Sequence, residues 1–204
     1  MTQHMLISII IPHNNKEQTP PVLGSPAFAN GNCELVIVTD SPALTDTAFL
    51  DSPAPVRIVP VRDERRGEWL NAGARAAQGE ILLFLEARHH LPADALAAIL
   101  RNFKLLPHTR GGNFHLHFES NSFFAGWLEH LVKWRRYGGH YGTDSGLFVQ
   151  KTAFAALNGL RPQARFTDYD FVHRLEKLGP TLFLPETLSL PSPTPKQVLA
   201  LLSV

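Results

Sequence analysis

Cysteine is almost absent from this chain of 204 residues. Cys33 is the only one, which excludes an internal disulfide and any cysteine-built metal cluster and fits a reducing, cytoplasmic setting. Charge is sparse and nearly balanced: 18% of residues are Asp, Glu, Lys or Arg, and the net charge is +1. Such a balance gives no general electrostatic pull toward nucleic acid. Long apolar runs are missing too. No segment reaches the roughly 18 consecutive apolar residues that a membrane-spanning helix needs. Leu6 to Ile11 is too short, and lacks the basic flank, to read as a secretion signal. A Gly-x-Gly-x-x-Gly motif after a strand is also lacking, which sets aside a dinucleotide-binding oxidoreductase. Internal repeats and low-complexity tracts are absent. The ten histidines are scattered, and only His89 and His90 offer anything like metal-ligand spacing.

What is present suits a single domain over residues 1–204 with a substantial core. The organising stretch runs from Arg65 to Asp94. Glu68 to Gln78 predicts a helix with Trp69, Ala72 and Ala76 along one face, closed by Gly79 in a left-handed cap. Ile81-Leu82-Leu83-Phe84-Leu85 follows without alternation, the pattern of a strand covered on both faces in a parallel sheet. It stops at Glu86-Ala87-Arg88-His89-His90. Pro92 suits the first position of the next helix, and Leu96, Ile99, Leu100 and Phe103 form its apolar stripe. Charge at the carboxyl end of a buried strand lies where open α/β sheets bind ligands.

The flanking segments repeat the theme. Leu6 to Ile11 predicts a first buried strand ending at Pro12, followed by a polar loop, His13 to Glu17, and a proline-broken stretch. Glu34 to Val38 is a second strand, stopping at Thr39-Asp40. Ala43 to Leu50 allows two turns of helix, and Val56 to Val61 alternates as an edge strand. In the second half, Phe114, Leu116 and Phe118 alternate along a half-exposed strand. Ser122 to Arg136 predicts an amphipathic helix with Phe124, Leu128, Leu131 and Arg135 in one row. A Tyr137–Gly142 aromatic-glycine loop, a short run at Leu147 to Val149, a helix from Thr152 to Leu157, a helix from Thr167 to Leu178 and a small strand at Thr181 to Leu184 complete the chain. Strands alternating with helices, then a mixed second half, give an α/β fold.

The order of these motifs resembles family-2 glycosyltransferases with the GT-A fold, and among them the small bacterial branch found near radical-SAM and selenium-related genes. The pieces are Ser8 to Pro12, Leu35 to Asp40, Arg66-Gly67 with Leu70 to Gly73, and Gly79 to Leu85 with Leu91-Pro92. Gly112 to Phe114, Gly146 to Val149, Phe154 with Gly159, and Thr167-Asp168 with Arg174-Leu175 continue it. The resemblance implies a mostly parallel central sheet flanked by helices. Residues 1–105 would form a nucleotide-binding half, 106–190 a small mixed acceptor half, and 191–204 a tail or helix. It implies a nucleotide-sugar donor, an acceptor of unknown kind and inverting transfer.

Residue by residue, the resemblance places Pro12 and the loop after it, with Asp40, against the donor's base and ribose. An ionised carboxylate accepts hydrogen bonds from ribose hydroxyls or a base N–H; a turn-forming role before Pro42 is the alternative for Asp40. Arg66 and Asn71 fall near the diphosphate and base, although Arg66 also reads as a solvated helix end. Most relatives have a tripeptide ending in a Mg²⁺- or Mn²⁺-ligating aspartate where this chain has Glu86-Ala87-Arg88. Arg88 repels a cation and offers a guanidinium to the diphosphate instead. Glu86 alone is a poor metal site. Asp168 matches the general base, with Asp170 as capping partner of Thr167, and Asp144 resembles an acceptor-side acid. His115 and His117 share a strand face, which more often means a solvated face than a metal pair. Trp127, Lys133, Trp134, Arg135 and Arg136 suit packing against the sheet better than a membrane surface. An inactive binding or regulatory module on the same scaffold is the alternative function, suggested by the altered Glu86-Ala87-Arg88 motif.

Overall fold

The computed structural model describes residues 5–13, 21–29, 32–40, 52–62, 65–120, 122–161, 167–191 and 198. The strands are β1 (Ile7–His13), β2 (Cys33–Thr39), β3 (Val56–Pro60), β4 (Ile81–Phe84), β5 (Gly111–Phe118), β6 (Leu147–Gln150) and β7 (Thr181–Leu190). The helices are α1 (Arg66–Ala76), α2 (Ala95–Leu105), α3 (Phe123–Arg136), α4 (Lys151–Ala156) and α5 (Thr167–Leu178). One seven-stranded sheet, ordered β3-β2-β1-β4-β6-β5-β7, runs through both expected halves. β1 to β4 pair in parallel, β6 is antiparallel to both its neighbours, and β7 is parallel to β5. The α/β architecture and mostly parallel sheet are as the sequence predicts, and β3 lies at the edge as its alternation requires.

Each central strand divides its side chains between two cores. Ile7, Ile9 and Ile11 of β1 join Leu35, Ile37, Ile81 and Leu83 on one face, under Leu96, Ile99 and Phe103 of α2. Ile10, Val36, Val38, Leu82 and Phe84 face the other way, against Leu70 of α1, Phe154 of α4 and Phe171 and Leu175 of α5. Burial on both faces is why these strands carry continuous apolar runs. A third cluster joins Leu116, Phe118 and Leu190 to Leu128 and Val132 of α3.

Several local expectations are corrected. β1 continues through Pro12 to His13, with Pro12 opposite Val38; the proline is tolerated because β4 pairs only with Ile7 to Ile10, so no partner strand lies on the other side at that level. α1 ends through an extended Ala77, not a left-handed Gly79. Gly79 serves close approach instead: a Cβ there would lie 2.5 Å from the Leu6 carbonyl oxygen. The buried face of α1 is Gly67, Leu70, Asn71, Gly73 and Ala74; Trp69 and Ala76 pack only partly against the core. α2 starts at Ala95, after a turn in which Ala95 N–H bonds to the Pro92 carbonyl. β7 runs to Leu190, well past Leu184. The predicted helix at Ala43 to Leu50 and loop residues Asn14 to Glu17 lie outside the described residues.

Candidate active site

The strand order reverses between β1 and β4: the chain builds β2 and β3 on one side of β1, then returns to lay β4 on the other. Such a reversal leaves a crevice at the carboxyl ends of the strands, because the connections leave in opposite directions. Glu86 lies at that point, directly after Leu85, whose N–H still bonds to the Ile10 carbonyl.

Three further segments are linked to Glu86. Arg66, at the start of α1, donates from Nη2 to Glu86 Oε1 and from the same nitrogen to Thr143 Oγ1 at 2.9 Å. Thr143 in turn donates from its hydroxyl to Asp168 Oδ2 at 2.6 Å, and its backbone N–H reaches the same oxygen at 3.0 Å. A continuous path therefore runs Glu86–Arg66–Thr143–Asp168, from β4 through α1 and the aromatic-glycine loop to α5. Gly142 makes the last contact possible: a Cβ there would lie 2.7 Å from the Asp168 Cβ and 2.9 Å from its Oδ2. Arg66 keeps 43% and Glu86 26% of its side-chain surface exposed, so the pair lines an open wall and remains partly hydrated. Burial opposes ionisation of Glu86, but Arg66, with help from Arg88, holds its carboxyl below the usual range.

His89 is fully buried and fastens the loop. Its Nδ1 accepts the Glu86 backbone N–H at 2.9 Å, which requires an unprotonated Nδ1, so Nε2 carries the hydrogen given to the Asp144 carbonyl at 3.0 Å. Burial, the largest influence, pushes the imidazole down to about 4, and the neutral ring is the form this pair of bonds demands. His89 thus holds the strand end carrying Glu86 to the turn carrying Asp144. Asp144 is pushed up to about 6, first by burial and then by the charges of Asp168 and Glu86, with Arg66 pulling against them. Since this folded-state value exceeds the ordinary carboxylate value, folding is favoured most below about pH 4 and loses that contribution as the pH rises through 6. Asp144→Asn is therefore expected to raise the melting temperature at pH 8 and change it little at pH 4. Equal shifts at both pH values in a thermal melt would remove this account of Asp144.

The remaining predicted residues divide. Asp40 follows β2, exposed at the same sheet edge as Glu86, with β1 between their strands. Pro12 is half-buried at that end of β1. Arg88 is half-buried in the turn after Glu86 and close enough to act on its charge. Asn71 stands apart. Its amide nitrogen donates to the Leu160 carbonyl at 2.8 Å and its oxygen accepts the Leu160 N–H at 2.9 Å, 89 residues on in sequence. Both ends of a buried amide are committed to backbone, so Asn71 joins α1 to the segment after α4. Asn71→Ala is expected to lower stability by about 2 kcal/mol through two orphaned backbone groups while leaving nucleotide affinity unchanged. A variant of parental stability with weakened nucleotide binding would return Asn71 to the donor site.

α5 includes Thr167, and Asp170 is held by Arg174 at 2.8 Å and Arg161 at 3.4 Å. His90 turns away to Glu119, 3.2 Å off, and His117 pairs with Glu129 at 2.9 Å. Two features that matter here, Thr143 and the clamping by His89, are not predicted by the sequence motifs. The signals available were a threonine after a glycine-rich loop and a histidine directly following a charged strand end.

A divalent cation at a diphosphate asks for several oxygen donors. Glu86 is bonded to Arg66, with Arg88 adjoining, and among the described residues no three His, Cys, Asp or Glu side chains form a set that would hold a metal ion. Among the described residues, the donor set at Glu86 does not fit a resident Mg²⁺ or Mn²⁺.

No protein-family model and no curated protein matches the sequence. Solved structures do match, glycosyltransferases of the GT-A fold among them. Mannosyltransferase PcManGT from Pyrobaculum calidifontis, in complex with GDP-Man and Mn²⁺, superposes with a TM-score of 0.69 at 16% identity, over 95% of this chain and 59% of that one. TarS of S. aureus gives 0.72 at 13% identity, over 97% of this chain and 38% of its own. Glucosyl-3-phosphoglycerate synthase from Mycobacterium tuberculosis, in complex with phosphoglyceric acid, gives 0.65 at 15% identity, over 97% and 76%. The chain thus spans less than two thirds of the first two proteins. Identities this low establish the fold, and the α/β sheet of this chain is a GT-A fold.

Proposed function

We propose that this protein transfers a sugar from a nucleotide diphosphate donor to an acceptor hydroxyl, with inversion at the anomeric carbon. The observation that carries this reading is the path Glu86–Arg66–Thr143–Asp168 at the sheet's switch point. It aligns the predicted base with the predicted donor wall. Both bonds from Thr143 fall on Oδ2 of Asp168, so Oδ1 is the oxygen that takes the acceptor's proton. The acceptor oxygen then bonds to the anomeric carbon as the bond from that carbon to the diphosphate breaks, and the diphosphate leaves with the electron pair. Arg88, with Arg66, balances the charge gathering on the leaving group. Asp40 takes the ribose or base, and Asp144 faces the acceptor. The motif order supports a family-2 enzyme of the small bacterial branch, working in the cytoplasm.

The second reading is a nucleotide-binding module without transfer, favoured by Glu86 being paired with a guanidinium where relatives hold a cation. A thermal-shift panel of nucleotide sugars, with and without Mn²⁺, followed by product analysis with any that bind, separates the two. Ligands of the folded state raise its melting temperature. Stabilisation with no sugar released or transferred would favour the module, and no stabilisation by any nucleotide would sink both.

A further inference from the structure

α3 carries an aromatic stripe that the described residues leave largely exposed. Phe123, Trp127, His130, Trp134 and Tyr137 follow at spacings of four, three, four and three, which keeps them on one side of a helix. That side is outward: Phe123 is 92% exposed, Tyr137 78% and Trp134 73%. Trp127, stacked on Phe124, is 45% exposed. The opposite side, with Ala125, Leu128, Val132 and Arg135, is buried. The structure therefore splits the cluster at Trp127 to Arg136. Arg136 turns inward to Asn113, Thr181 and the Tyr141 ring, and Arg135 is buried, so packing is right for the arginines and wrong for Trp134. Exposed large aromatics at these fractions amount to roughly 700 Å², more than an ordinary surface tolerates without a partner.

We propose that this face of α3 docks the protein on an anionic membrane surface. Two features choose a lipid surface over a second copy of the chain. The stripe holds Trp and Tyr, whose flat rings with a polar edge suit the headgroup boundary, beside the wholly apolar ring of Phe123, and no Leu, Ile or Val of the kind that interlocks helix against helix. The exposed charge beside it is Lys133, while the only carboxylate of the helix, Glu129, is held by the Phe118 N–H and His117. A second copy packed through the same helix would meet Lys133 with no free carboxylate from that helix; an anionic bilayer meets it with many negatively charged headgroups. The stripe ends at Tyr137, where the loop leading to Thr143 and Asp144 begins, so docking sets the acceptor side of the crevice near the headgroups. The inference does not rest on sugar transfer.

The test is co-sedimentation with vesicles of phosphatidylcholine, with and without phosphatidylglycerol, read together with tryptophan emission. The parent protein is expected to bind the anionic vesicles with a blue shift. Phe123→Ser with Trp134→Ser should reduce binding at least ten-fold at an unchanged melting temperature, since both side chains are exposed. Lys133→Gln should weaken binding to anionic vesicles about five-fold and leave neutral vesicles unaffected. Asp168→Asn should bind as the parent does, which keeps this test apart from the proposed chemistry. Absence of parental binding, or equal binding by the double variant, overturns the proposal. So does a dimer in sedimentation equilibrium that the double variant dissolves while neither form binds vesicles.

Discussion

Replacing Asp168 by asparagine is expected to slow sugar transfer by about 10²–10⁴-fold, the usual contribution of a positioned base. The change is isosteric. An amide oxygen can still accept from Thr143, so the path through Arg66 to Glu86 keeps its shape, and the close fit of Gly142 against the side chain at position 168 is undisturbed. What is lost is the second carboxylate oxygen's ability to take a proton. Nucleotide affinity should hold, because Asp168 reaches the donor wall only through Thr143 and Arg66. Initial rates with a donor found in the thermal-shift panel, set against calorimetric affinity for the same nucleotide, separate these effects. A variant as fast as the parent would mean that another group takes the proton, and Asp144, pushed up to about 6 in the same cluster, would be the next residue to replace.

The fold was legible in the sequence where burial is two-sided. Ile7 to Ile11, Leu35 to Val38 and Ile81 to Phe84 announce themselves as continuous apolar runs, because each alternate residue enters a different core. The stops were legible too: Asp40 and Glu86 do end their strands at one sheet edge. Local punctuation was less dependable. Gly79 signals a left-handed cap, but a glycine also marks close backbone approach, and sequence does not distinguish the two. Pro12 argues against a central strand only if partners flank it at that level, and β4 stops short. The aromatic side of α3 read as core because tryptophan is so often buried. Long-range contacts were not legible at all. Thr143 meets Arg66 across 77 residues, His89 meets Asp144 across 55, and Asn71 meets Leu160 across 89. Each depends on how elements dock, and for Asn71 the docking gives a framework contact where motif order had suggested a ligand.

Nucleotide diphosphate is expected to bind about equally well with Mn²⁺ and with chelator. The sequence offered one reason, Arg88 in place of a metal-ligating aspartate; the structure adds a second, the pairing of Glu86 with Arg66. A cation arriving at Glu86 would have to displace one guanidinium while standing near another. A unit charge pair at about 4 Å and an effective dielectric near 20 is worth roughly 4 kcal/mol, enough to offset a single carboxylate ligand, though hydration of the half-exposed pair reduces it. The same charges favour the diphosphate directly. Arg88→Asp should therefore weaken nucleotide binding about 10- to 100-fold in chelator, the loss of one charge-assisted hydrogen bond of about 1.5–3 kcal/mol. It should also create a response to Mn²⁺, because two carboxylates then stand at the strand end. Calorimetric titration of parent and variant, each with Mn²⁺ and with chelator, reads both effects in four curves. Tight parental binding confined to Mn²⁺ would show that Arg66 yields Glu86 to a cation when nucleotide arrives, and the pairing described here would then be the resting state of a metal site.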